Sequence, residues 1–128
     1  LSALHTGLSW PLIIVNGLVG LWALGAHRQE ALRGRALWAA TAVAQALLFV
    51  HAMIGGILVA TDSAGREVGG EHMFYGFLTL TGIVILYGYR RQLGEWMYLL
   101  YGFGGLFVMG LAIRAHYLSG WADAALGL

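Results

Sequence analysis

Four apolar stretches, residues 1–26, 36–60, 71–89 and 96–118, take up most of this 128-residue chain. That feature leaves few folds open. A bilayer's hydrocarbon core is about 30 Å thick and needs roughly 20 apolar residues at 1.5 Å rise each. All four stretches meet that requirement, the third only just. Backbone groups in lipid must bond within their own segment, so each stretch is expected to be a helix. The alternation of a barrel strand is absent. So is the polar outer face that each helix of a soluble bundle carries. Composition agrees: 59% of residues are hydrophobic and 10% charged, against about 45–50% and 25% in soluble domains. The expected fold is all-α and integral to the membrane, one domain over residues 1–128, with four transmembrane helices in an antiparallel bundle.

The connections are short, so no soluble domain interrupts the helices. The first stretch lacks a basic start, and its apolar run is too long for a signal peptide, so a retained helix is expected. Arg28, Arg33 and Arg35 lie in the turn at residues 27–35, and Arg90 and Arg91 in the turn at 90–94. The middle connection has Arg66 beside Asp62 and Glu67. The positive-inside rule then places both Arg-rich turns in the cytoplasm and both chain ends outside, in a multi-pass protein of the plasma membrane. Trp22, Trp38, Tyr87, Tyr89, Trp96 and Tyr98 would form the inner aromatic belt, and Tyr75, Tyr117 and Trp121 the outer one. All seven basic residues are Arg, a composition that fits a GC-rich bacterial genome.

The net charge of +1 and the lack of a basic stripe argue against a nucleic-acid partner. No soluble substrate is evident. Without cysteine, disulfides, thiolate metal sites, iron–sulfur clusters and covalently attached haem are excluded. No nucleophile elbow or phosphate-binding loop occurs, and Gly102-Phe-Gly104-Gly105 lies inside an apolar span, where it serves helix packing. No independent catalytic apparatus is visible.

Each helix carries one histidine toward the outer end: His5, His51, His72 and His116. Counting from the arginines places His51 and His72 roughly 24–27 Å above the inner boundary, and His5 and His116 roughly 31–35 Å above it. All four fall on faces of small or polar residues, which mark helix–helix contacts in lipid. That spread in depth argues against one zinc or copper ion held by all four. Asn16 and Gln45 count to nearly the same depth on neighbouring helices. An amide pair between them is expected to contribute about 0.6–2 kcal/mol. Pro11 should kink the first helix or mark its first turn. Arg114 points away from His116 and is expected to reach outer phosphates, and Glu71 to cap the third helix.

The sharpest local pattern is a matched pair, His51-Ala-Met-Ile-Gly55 and His72-Met-Phe-Tyr-Gly76. Each sets a glycine one turn from a histidine on the same face. A flat macrocycle held by an imidazole lies along the helix, and a side chain at that position would obstruct it. His51 and His72 are thus the candidate axial ligands of haem b, with Gly55 and Gly76 making room, near the outer face. The alternatives are hydrogen bonding by the same histidines and a quinone slot built from Glu71, His72 and Tyr75.

The functional expectation is a small accessory transmembrane subunit of a larger membrane complex, respiratory or otherwise electron-transferring, acting by helix packing. Its partners would be other integral membrane subunits and lipids, with no certain cofactor. Bulky replacements at Ala44, Gly55, Gly76 or Gly105 would then damage it. The competing reading is a bis-histidine haem b cytochrome or membrane anchor.

Overall fold

The computed structural model describes residues 2–61 and 70–117. The middle connection with Asp62, Arg66 and Glu67, and Trp121 of the expected outer belt, lie outside the described residues. Four long helices account for nearly all of the rest: α1 (Ser2–Arg28), α2 (Arg35–Thr61), α3 (Gly70–Tyr89) and α4 (Met97–Tyr117). Each is long and apolar enough to cross a membrane. The helix ends fall within two residues of those expected from the apolar runs at every described boundary. α1 continues unbroken through Pro11, whose missing N–H leaves the Gly7 carbonyl without its helical partner.

Local chemistry ends the helices where the apolar runs stop. At the end of α1, Arg33 folds back and donates to the carbonyls of Ala26 and His27, at 2.7 and 2.8 Å. Those carbonyls belong to the last turn and have no partner further along the helix. The Trp22 indole donates to the Leu32 carbonyl, closing a 3₁₀ turn at Glu30–Leu32. Gly34, at φ 148°, supplies a backbone angle that side-chain-bearing residues rarely adopt, and α2 starts directly after it. A second 3₁₀ turn, Gly94–Trp96, leads into α4.

α1 is the central packing element, touching both α2 and α4, while α3 leans on α4 and barely meets α2. The α1–α4 seam is built from glycine. A Cβ on Gly105 would stand 3.3 Å from the Gly20 Cα, and one on Gly20 would stand 3.2 Å from the Gly102 carbonyl. On either side, the Met109 side chain fills the space over Gly17 and Leu24 that over Gly102. Lipid tails are as apolar as leucine, so association rests on such close backbone approach and its van der Waals contacts. The fully buried Ala23, Ala26 and Leu37 gather toward the Arg-rich turns with Trp22, Trp38 and Tyr98 around them.

α2 is fastened to α1 by Asn16. Its side-chain nitrogen donates to Leu12 in its own helix and to the Ala44 carbonyl of α2, at 2.8 and 3.2 Å. The inter-helix bond therefore goes to backbone beside Gln45, and the Gln45 amide lines a cavity instead.

Candidate functional site

The four histidines gather at the end of the helices opposite the Arg-rich turns. His5 lies at the centre of the group. Its ring stacks on that of His51, 3.9 Å between centroids and 12° between planes, and meets His72 edge to face at 6.2 Å and 79°. His116 is buried on α4, 5.1 Å from the Trp10 ring. The greater height expected for His5 from residue counting is not seen in the ring positions, since His5 reaches the level of His51.

Hydrogen bonds set the tautomers of two rings. His5 Nδ1 lies 3.2 Å from the His51 carbonyl, and His72 Nδ1 bonds the Ala115 carbonyl. A carbonyl oxygen can only accept, so Nδ1 carries the proton in both. In the neutral form of either ring, Nε2 then keeps its lone pair. Histidines that bind metals are commonly held this way, with the far N–H on a carbonyl that fixes ring orientation and raises basicity. His51 differs: among the described residues its buried Nδ1 has no hydrogen-bond partner.

The two glycines expected beside the haem ligands have different surroundings. The His5 ring occupies the notch at Gly55, where a Cβ would come 2.9 Å from His5 Cε1. Nothing lies within 4 Å of a Cβ placed on Gly76. A planar group on the face of His72 thus meets open space one turn away, whereas on the face of His51 it meets His5. Among the described residues no three histidines or carboxylates are arranged to hold one metal ion. Pairs of histidines remain the available ligand sets.

Second contacts tie the layer together. The Arg114 guanidinium lies over the Tyr75 ring at 5.8 Å, joining α4 to α3. Glu71 is exposed in the first turn of α3, where a carboxylate favours the helix N-terminus. Ser9 donates to the His5 carbonyl. Sequence reasoning singled out His51 and His72 because of their paired glycines, and it set His5 aside on depth. The signal that could have found His5 is the bare surface at Gly55, which needs an occupant from a neighbouring helix.

A second concave feature lies near the other end. A cavity of about 320 Å³ opens where α2 and α3 part, lined by Trp38, Thr41, Gln45, Tyr87, Arg90 and Tyr101 among others. No family model, curated protein or solved structure matches this chain.

Proposed function

We propose that this chain is a small transmembrane subunit of a membrane electron-transfer complex, and that its histidine layer binds haem b. In this reading the four helices form an antiparallel bundle with both ends outside and the Arg-rich turns in the cytoplasm, as the positive-inside rule requires. The haem then lies toward the outer face. Cofactor sites in helix bundles are built from inward side chains on facing helices, and an ionisable cluster inside a membrane span is a functional site by default.

The observation that carries the proposal is the pairing of His5 and His72. Both present Nε2 with Nδ1–H tied to a carbonyl. Metal–imidazole bonds of about 2.0–2.1 Å, plus roughly 1.1 Å from nitrogen to ring centre, would put two imidazoles that share one metal roughly 6–6.5 Å apart. His5 and His72 lie 6.2 Å apart, so their separation suits one metal between them, and the present edge-to-face setting would have to turn until both Nε2 atoms face it. The pair His51 and His72, favoured by the glycine spacing, also fits the chemistry but requires His5 to leave the notch at Gly55. Bound haem would supply one-electron chemistry, and His5 and His72 would hold it through imidazole nitrogens, with the surrounding burial tuning its potential.

A reduced-minus-oxidised absorption spectrum of the gently purified chain tests this. A b-type α-band that stays after other subunits are stripped away, and disappears in His72→Ala, is the expected result. A flat spectrum from folded protein reconstituted with haem would overturn it.

A second reading, an accessory subunit acting through helix packing alone, has its own support. Gly56, Gly88 and Gly110 each have nothing within 4 Å of where a Cβ would stand, leaving bare helix surface for partner helices. The flat spectrum would leave this reading standing.

A further inference from the structure

The cavity near the Arg-rich turns has features that the histidine layer does not use. Its most buried polar members are Thr41 and Tyr101, each 6% exposed, and the Thr41 hydroxyl already donates to the Leu37 carbonyl. The Tyr101 hydroxyl makes no hydrogen bond among the described residues, although its ring packs edge to face on Trp38 at 5.3 Å. Gln45, half-buried, likewise brings an unbonded amide to the same space. Both groups are hydrogen-bond donors whose bonding capacity is not taken up among the described residues. Two donors lining one cavity suit a ligand with hydrogen-bond acceptors.

We propose that this cavity binds the head group of a membrane quinone. Tyr101 and the Gln45 amide donate to its carbonyl oxygens, and Trp38 and Tyr87 form the aromatic walls. The volume of about 320 Å³ lies at the small end of ligand sites, about 300–1,000 Å³, which suits a head of one or two rings. Ala42 and Tyr87 line the cavity and are exposed, so the mouth faces the bilayer and an isoprenoid tail can leave through it. Charge favours a neutral ligand. Among the described lining residues the cation is Arg90, which already donates to the Tyr87 carbonyl and lies 3.6 Å over the Tyr87 ring. The remaining walls are chiefly apolar, and burying a phosphate against them is far costlier than burying a neutral carbonyl.

The site is independent of the haem reading. The full chain in lipid nanodiscs would be photolabelled with a short-chain azidoquinone and the labelled peptides identified by mass spectrometry. Label is expected in residues 38–45 and 87–101, competed by excess unlabelled short-chain quinone and not by phosphatidylglycerol. Tyr101→Phe keeps the ring and loses the donor, so competitor affinity should fall about three- to tenfold, the worth of one hydrogen bond. Gln45→Leu should act similarly, and His72→Ala should leave labelling unchanged. Circular dichroism and elution volume establish that each variant is folded. Label elsewhere, undiminished affinity in both folded cavity variants, or displacement by phospholipid would each overturn the proposal.

Discussion

The His5 imidazole is stacked on that of His51, yet its hydrogen bond goes to the His51 main-chain carbonyl. Ring position and side-chain identity at residue 51 are therefore separable: removing the His51 imidazole takes away the stack but keeps the acceptor that fixes the His5 tautomer. His72 is held in the same manner by the Ala115 carbonyl. Backbone from α2 and α4 thus orients side chains of α1 and α3, so packing of the helices and presentation of the two Nε2 atoms are one property.

The first prediction follows from that separation. In haem-reconstituted protein, His5→Ala and His72→Ala should each abolish the reduced α-band, while His51→Ala should retain most of its amplitude. The reverse order, with His51→Ala silent and His5→Ala coloured, would assign the axial pair to His51 and His72. Absorbance at equal folded protein concentration decides between them.

The glycine seam supports a second prediction. Replacing Gly20 by Leu forces a side chain into backbone only 3.2 Å from where its Cβ would stand. The helices must part, and overpacking of this kind costs about 1–3 kcal/mol. Gly110→Ala, with open space around it, should leave stability unchanged. Thermal unfolding in one detergent, followed by circular dichroism, should show a lower midpoint for Gly20→Leu only.

The helices themselves were legible because length and apolarity in lipid leave the backbone little choice. Seam glycines such as Gly102 and Gly105 were also legible, since small residues inside an apolar span mark contact faces. Finer pairings were not. Counting depth at a fixed rise treats each helix as a straight rod normal to the membrane, and tilt alone averages about 20°. His5 was set apart from His51 on that basis, whereas its side chain spans the remaining gap into the Gly55 notch. Asn16 and Gln45 did count to the same level, but hydrogen bonding depends on rotation about each axis. The acceptor that Asn16 finds on α2 is the Ala44 carbonyl, a backbone group invisible in a reading of side chains.

Asn16 therefore carries a third prediction. It is buried, and its amide crosses from α1 to α2. Asn16→Leu removes that bond and should cost about 0.6–2 kcal/mol, the usual worth of a polar contact between membrane helices. Gln45→Leu should leave this bond intact, so its unfolding midpoint in the absence of added quinone should stay near the parent's. Equal losses in the two variants would show that Gln45 also serves the helix interface.

Orientation yields the fourth prediction, and the chain offers a clean background for it because it has no cysteine. Gln29 and Gln92 are exposed and lie in the two Arg-rich turns, while Glu71 is exposed at the start of α3. Single replacements Gln29→Cys, Gln92→Cys and Glu71→Cys place one thiol at each end of the bundle. In intact cells a membrane-impermeant maleimide should label Glu71→Cys alone, and permeabilisation should expose the other two. Labelling of Gln29→Cys and Gln92→Cys in intact cells would reverse the topology. The histidine layer would then face the cytoplasm, and the Arg-rich turns would break the positive-inside rule.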